Sequence, residues 1–384
     1  MTGIIRHFES NLSERLKQNL PFIQVLVGPR QVGKTTAVRR IVEQWNGPKV
    51  FVSADDPTPK SAAWLSMQWK LAQQKGPGTL FVVDEIQKVD SWSETIKELY
   101  DPIREKRELS VVLLGSASLS IQSGLSAALT GRFELNRATH WSYTESAREF
   151  GWDLQQYLLY GGYPAASLLI DSDQRWRSFI LDSIIEPVLG RDIGGIVPIL
   201  KPALFRQTFE LAMQHPCRII SYNKLLGQLQ DRGNTTTIRH YLELIEGAFL
   251  LKLLPRFSGN QIRAKSSSPK LLPLAPALSQ AYRPESLSRE DATWQGYVFE
   301  AAVGAELAKL QGKLSYWSDG NFEVDFIREV DGRTIAYEVK SKRTKNPRSL
   351  ERFVQQYPRA EIQIVTPDTF CELVAKSDVS LSGL

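Results

Sequence analysis

The chain has 384 residues, 42% hydrophobic and 23% charged, with a net charge of +5 and a sequence pI of about 9.0. That composition predicts an ordinary globular protein of two or three domains, and its mild basicity is compatible with nucleic acid without establishing it. No apolar run approaches the ~18 residues of a membrane span. The two cysteines, Cys217 and Cys371, lie far apart and the chain has only four histidines, so neither a disulfide framework nor a zinc site is expected and a reducing cytoplasm fits.

The N-terminus, Met1-Thr2-Gly3-Ile4-Ile5-Arg6, has no apolar leader core and begins like an amphipathic helix. Phe22–Val27 follows as an apolar, β-rich run. It leads directly into Gly28-Pro29-Arg30-Gln31-Val32-Gly33-Lys34-Thr35-Thr36, and Thr35 to Trp45 reads as a helix. Strand, glycine-rich turn and helix start are the setting in which G-x-x-x-x-G-K-[ST] is a phosphate loop. The glycines let the backbone wrap a triphosphate with its N–H groups pointing inward, at the positive end of a helix. Lys34 is predicted to reach the β- and γ-phosphates, and Thr35 to offer its hydroxyl to Mg²⁺.

Further strands are predicted at Val50–Ser53, Leu80–Val83 and Val111–Leu114, with a weaker one at Phe133–Asn136. Helical patterns such as Ala62–Gln74 and Ser93–Glu105 fill the gaps, so a parallel sheet covered on both faces is expected. The run Thr79 to Val83 ends in Asp84-Glu85, a Walker B pattern: Asp84 to hold Mg²⁺ through water, Glu85 to polarise the attacking water. The next strand ends in Gly115-Ser116-Ala117-Ser118, which makes Ser116 a candidate sensor of the γ-phosphate or water. Arg132, in Leu129-Thr130-Gly131-Arg132-Phe133, is either an arginine finger for a neighbouring subunit or the cap of its own loop. Arg191, in Gly190-Arg191-Asp192, is a second finger candidate.

From about residue 150 the chain becomes mainly helical, after a break at Tyr160-Gly161-Gly162-Tyr163-Pro164. Ser221 reads as the cap of a short helix to Leu229. A polar turn, a second helix at Thr235–Glu246 and a β run at Phe249–Leu254 follow, the layout of a winged helix-turn-helix. Its exposed second-helix residues are predicted to be Thr236, Thr237, Arg239 and His240. Two uses fit: a DNA reader, or a packing module of an ATPase. Residues 255 to 284 are rich in proline and serine, carry Arg256, Arg263, Lys265, Lys270 and Arg283, and hold no acid. They read as a linker, either solvated or laid along a phosphate backbone.

The last part predicts a helix from Trp294 to Leu310 carrying Glu300. Strands follow at Leu314–Trp317, Glu323–Ile327 and Thr334–Lys340, then a helix at Ser349–Gln356 and a strand at Glu361–Val365. Alternation puts Glu338 and Lys340 on one strand face. With Asp325 they form a D…E-x-K set. On one reading Asp325 and Glu338 bind Mg²⁺, Glu300 completes the site and Lys340 holds or deprotonates a water, with Lys340-Ser341-Lys342-Arg343-Thr344-Lys345 on phosphates. On the other, a solvated hairpin pairs glutamate with lysine.

These motifs, together with Asp84-Glu85-Ile86-Gln87-Lys88, Gly131-Arg132-Phe133 and Tyr160-Gly161-Gly162-Tyr163-Pro164, resemble the prokaryotic AAA-type ATPases that carry a C-terminal domain of unknown function. In that family the tail is similar to the PD-(D/E)XK nuclease superfamily, which Glu323-Val324-Asp325-Phe326 and Glu338-Val339-Lys340 match. The resemblance implies an α/β fold in three parts: a P-loop AAA+ domain at 1–150, a helical region with a winged helix at 151–256, and a restriction-endonuclease-like domain at 293–384, with a basic linker at 257–292 between the last two. Pro269-Lys270-Leu271-Leu272-Pro273-Leu274-Ala275-Pro276-Ala277-Leu278 departs from the family pattern, which ends such a run in an aspartate and a glycine. The expected function is ATP hydrolysis with Mg²⁺ by a homo-oligomer, a hexameric ring being one form, that binds and remodels or translocates along DNA. The alternatives are a nucleotide-dependent switch acting on a protein partner and an ATP-gated, Mg²⁺-dependent nuclease.

Overall fold

The computed structural model describes residues 4–115, 125, 128–195, 197–229, 234–258, 267–289, 291–341 and 348–382. The chain divides into two units, one running to Thr139 and one from His140 to Ser380.

The first unit is a five-stranded parallel sheet with strand order β2-β3-β4-β1-β5. Its strands are β1 (Ile23–Val27), β2 (Lys49–Ser53), β3 (Thr79–Asp84), β4 (Leu109–Gly115) and β5 (Phe133–Arg137). Every residue of β1 and β3 is buried, as the unbroken apolar runs require of strands covered on both faces. Gln24, the polar residue of β1, is tied at both ends: its amide donates to Glu134 Oε2 at 2.7 Å, and Asn136 donates to its oxygen at 3.1 Å. Helices α1 (His7–Gln18), α2 (Lys34–Gln44), α3 (Ala62–Gln74) and α4 (Trp92–Tyr100) accompany the sheet. Ser61 caps α3 by accepting from Trp64 N, and α3 buries Trp69 edge-on against Phe81. The β–α alternation read from the sequence is present here.

The second unit differs from its sequence-based division. It begins with α5 (Tyr143–Phe150) and α6 (Leu154–Tyr160), each opened by a reciprocal capping box: Ser142 with Glu145, then Asp153 with Gln156. Helices α7 (Asp173–Ser178), α8 (Pro202–Gln214), α9 (Tyr222–Gln228) and α10 (Thr235–Gly247) follow, with π-helical turns at Phe179–Ile185 and Val188–Ile193. Ser221 and Asn234 cap α9 and α10 by accepting from Lys224 N and Thr237 N. Next come β6 (Leu251–Leu254), paired antiparallel with β7 (Lys270–Pro273), and the short helix α11 (Pro276–Ala281). Then α12 (Ala292–Leu307) precedes a second sheet ordered β11-β10-β9-β8, made of β8 (Lys313–Asp319), β9 (Phe322–Val330), β10 (Arg333–Val339) and β11 (Glu361–Val365). The first three form an antiparallel meander, and β11 joins β10 in parallel after α13 (Arg348–Gln356). The final helix is α14 (Pro367–Ser382).

The segment expected as the 257–292 linker contains β7 and α11, and each residue of both is buried. The departure from the family pattern in that stretch therefore does not prevent it from packing. The parts expected as separate domains at 151–256 and 293–384 share one apolar core: Tyr157, Leu158, Leu254 and Leu272 pack with Val298, Val303, Phe326 and Phe370. Gln280 stitches them further. It donates to Leu158 O at 3.1 Å and accepts from Trp294 Nε1 at 3.2 Å. Among the described residues, no helix is long and apolar enough to cross a membrane.

Candidate functional site

The phosphate loop leaves the C-terminal end of β1. Gly28 passes so close to Ala138, just beyond β5, that a Cβ there would lie 2.5 Å from Ala138 O. Gly33 ends the loop as the N-cap of α2 with φ 94°, a left-handed conformation that glycine adopts without strain. Val32 is fully buried and anchors the turn. Arg6, also buried, donates to Val32 O at 2.5 Å and to Thr139 O at 3.0 Å. Glu9 on α1 accepts from Arg40 Nε on α2 at 2.9 Å. Sequence reasoning missed both ties. The only sign of them was the amphipathic start of the chain.

Lys34 Nζ is buried and donates to Gly28 O at 3.0 Å and Pro29 O at 2.6 Å, so the ammonium lies inside the loop's own curve. Thr35 Oγ1 donates to Asp84 Oδ2 at 3.0 Å, and Glu85 N donates to Asp84 Oδ1 at the same distance. Burial pushes the Asp84 carboxyl above its ordinary value, helped by the Glu85 charge and opposed by the Thr35 hydroxyl. A hydroxyl beside a buried carboxylate is the donor set Mg²⁺ takes next to a triphosphate, so the residues fit that ion. Glu85 turns through φ 53° just beyond β3. Strand order sets β4 between β1 and β3, so the end of β4 at Gly115 falls between the loop and Asp84. Ser116, the next residue, lies outside the described residues.

Arg132 sits at the opposite edge of the sheet, where its carbonyl accepts from Ile23 N at the start of β1. One strand length, roughly 16 Å, separates that edge from the phosphate loop, so Arg132 does not serve its own nucleotide. Its guanidinium grips Asp101 with two bonds, Nε to Oδ1 at 2.6 Å and Nη2 to Oδ2 at 2.9 Å. Arg191 is exposed on the π-helical turn Val188–Ile193 of the second unit. Thr236, Arg239 and His240 are exposed on α10 and Thr237 is half-buried. Arg239 donates to Glu243 at 2.8 Å. Arg263, Lys265, Lys342, Arg343 and Lys345 lie outside the described residues.

The acidic residues of the last part do converge. Asp325 on β9 and Glu338 on β10 follow directly on the cross-strand pair Phe326–Tyr337, and Asp325 Oδ2 accepts from Val339 N at 2.8 Å. Glu338 Oε1 accepts from Lys340 Nζ at 2.7 Å, while its buried Oε2 meets no hydrogen-bond partner among the described residues. Burial, with the Asp325 charge, pushes the Glu338 carboxyl up to about 7. Glu300 of α12, Glu323 and Asp325 bring oxygens within 4.8 Å of one another. Glu323 was not among the expected ligands. Between these oxygens stands a cation that the sequence did not place there: Lys270 Nζ, 2.6 Å from Glu300 Oε1, 2.8 Å from Glu323 Oε1 and 3.7 Å from Asp325 Oδ1. Burial works against the lysine's charge. Glu300, Asp325 and Glu323 outweigh it and raise its pKa well above the ordinary value. The cluster thus holds three acids around one ammonium, and burial pushes Glu300, the most enclosed of them, up to about 8 despite Lys270.

Three family profiles match the chain. One described as an AAA domain covers residues 21–147, one described as a domain of unknown function (DUF8612) covers 151–286, and another so described (DUF4143) covers 295–377. No curated protein matches. Among solved structures, the Thermotoga maritima RuvB Holliday junction branch migration motor is similar at 15% identity over 64% of this chain and 89% of its own, with a TM-score of 0.35. AMPPCP-bound DnaA from Aquifex aeolicus is similar at 13% identity over the same shares, with a TM-score of 0.34. The AAA-domain match over residues 21–147 agrees with the phosphate loop and parallel sheet of the first unit.

Proposed function

We propose that this chain, with its AAA-type P-loop domain, hydrolyses ATP and uses the cycle to act on DNA as a homo-oligomer. The observation that carries the ATPase reading is the Thr35 Oγ1–Asp84 Oδ2 contact of 3.0 Å, which joins two motifs 49 residues apart at one point beside the loop. In this reading the loop residues Gly28 to Thr36 cradle the triphosphate with their N–H groups, and Lys34 turns its ammonium from the loop carbonyls to the β- and γ-phosphates. Thr35 and Asp84 hold Mg²⁺, which neutralises phosphate charge when bound. Glu85 orients the attacking water, Ser116 senses the γ-phosphate, and Arg132 leaves Asp101 to reach a neighbour's nucleotide. A finger from a neighbour requires a closed or partner-dependent assembly, of which a hexameric ring is one form.

The capped helices α9 and α10 followed by the hairpin β6–β7 support a winged helix, and the exposed Thr236, Arg239 and His240 support a DNA-facing helix. The order helix, three-stranded meander, helix, parallel strand supports kinship of the tail with the PD-(D/E)XK fold. A second reading, a nucleotide switch acting on a protein, is favoured by two observations. The wing strand β7 is wholly buried rather than offered to a groove, and Arg239 is already paired with Glu243.

The test is the steady-state ATPase rate with and without single-stranded, duplex and branched DNA, with Lys34→Ala as the blank. Stimulation by one form supports the DNA reading and names its substrate. A slow rate indifferent to every form favours the switch, and turnover by Lys34→Ala at the full rate removes the ATP assignment itself.

A further inference from the structure

Lys270 is the first residue of β7 and its side chain is fully buried. Besides its three carboxylate neighbours, Nζ donates to the Asp325 carbonyl at 3.2 Å. Nζ also donates to Glu323 Oε1 at 2.8 Å, and Glu300 Oε1 stands 2.6 Å away as its ion-pair partner. Asp325 Oδ2 accepts from Val339 N, and its Oδ1 stands 3.7 Å from the ammonium. Glu300, Glu323, Asp325 and Glu338 line a pocket of about 440 Å³, and Lys270 approaches the first three from the buried side, so the acids are open to ions from solvent and their occupant is not fixed by sealing.

We infer that Lys270 is the resident cation of this acidic site and that its ammonium excludes a divalent ion from Glu300, Glu323 and Asp325. The inference goes beyond the ATPase reading and stands or falls separately from it. Mg²⁺ and Mn²⁺ need oxygens at about 2.0–2.2 Å on every side. A fixed ammonium 2.6 to 2.8 Å from two of the three carboxylates takes the centre of that shell. Charge points the same way, since a divalent ion entering here would sit close to a buried positive group. The lysine therefore does for these acids what a metal does in a nuclease: it holds three carboxylates from one helix and one strand together. At those three acids it supplies no bound water to attack a phosphodiester.

The experiment is Mn²⁺ binding to the nucleotide-free full chain, read by calorimetry and by Mn²⁺ paramagnetic resonance, in an Asp84→Asn background so that the first site does not contribute. With Lys270 present, no Mn²⁺ binding sensitive to Glu323→Gln is expected up to roughly millimolar concentration. Lys270→Met, folded, gains about one Mn²⁺ per chain, and Glu323→Gln added to it removes that ion. Submillimolar Mn²⁺ bound by the Lys270 chain and lost on Glu323→Gln overturns the inference. So does a folded Lys270→Met chain that gains no ion. Should Lys270→Met fail to fold, thermal melting of the Lys270 chain decides. A melting temperature unmoved by Mn²⁺ but lowered by Glu323→Gln fits an internal cation, and a rise with Mn²⁺ that Glu323→Gln abolishes refutes it.

Discussion

Gly28→Ala tests whether the mouth of the phosphate loop is as rigid as the geometry requires. A Cβ at this position meets Ala138 O at 2.5 Å and Ala138 Cβ at 2.8 Å. These neighbours do not yield easily, because Ala138 N donates to Val27 O at 2.8 Å and so pins the exit of β5 to the exit of β1. Forcing a methyl into such a contact costs about 1–3 kcal/mol. Parting the strands to admit it also loses that backbone bond, about 1 kcal/mol net. The sum, about 2–4 kcal/mol, lowers the melting temperature of the first unit by roughly 5–15 °C. Because the methyl displaces the loop backbone, affinity for a non-hydrolysable ATP analogue falls as well, by about tenfold or more. Scanning fluorimetry with and without the analogue reads both effects. Gly33→Ala is the control, since φ there is 94° but a Cβ meets nothing within 4 Å; it carries only the conformational cost, about 1–2 kcal/mol. Gly28→Ala melting within about 1 °C of wild type would show that Ala138 gives way freely, and the steric reasoning would be wrong.

Three further outcomes are expected. Glu85→Gln keeps ATP affinity while turnover drops by about 10²-fold or more, read by equilibrium binding beside phosphate release; unchanged turnover removes Glu85 from the reaction. Arg132→Ala slows hydrolysis by about 10²-fold or more only at protein concentrations where the chain assembles, and a rate equal to wild type at saturating protein leaves Arg132 as the cap of its own loop. Arg6→Ala takes a charged donor from Val32 O and Thr139 O, and at about 1.5–3 kcal/mol per bond it lowers stability in a urea melt by about 3–6 kcal/mol. A loss below about 1 kcal/mol means the loop does not depend on that tie.

The sheet and phosphate loop were legible because their signals are local. The run from Phe22 to Thr36 specifies strand, turn and helix within fifteen neighbouring positions, and the acids after Thr79–Val83 fall at a strand end that the parallel order brings beside the loop. Residues that act from afar were not legible. Arg6 precedes its acceptor Val32 by 26 residues, and no pattern around a lone arginine in an amphipathic helix announces a buried bond to a loop carbonyl. Arg132 could be named as a functional arginine, but its partner Asp101 comes from the end of α4, 31 residues earlier.

The packing of β7 and α11 was not legible for a related physical reason. Proline, serine and unpaired basic residues make 257–292 look solvated, and for a lone lysine that is the sound expectation, since burying an unpaired ammonium is prohibitive. The expectation fails because Lys270 is not alone. Its acids come from α12 and β9, with Glu323 and Asp325 lying 53 and 55 residues further on, and only the folded sheet brings them together. The same long-range closure sets Leu272 beneath α12 and brings two segments matched by different family profiles into one core. A cut between residues 286 and 295, where those profiles part, would leave the ammonium in one fragment and all its carboxylates in the other. Neither half could then bury its share of the cluster: one would carry an unpaired cation, the other crowded acids without a counter-charge. The unit has to fold whole, and Lys270 is the residue through which the charge of one segment answers that of the other.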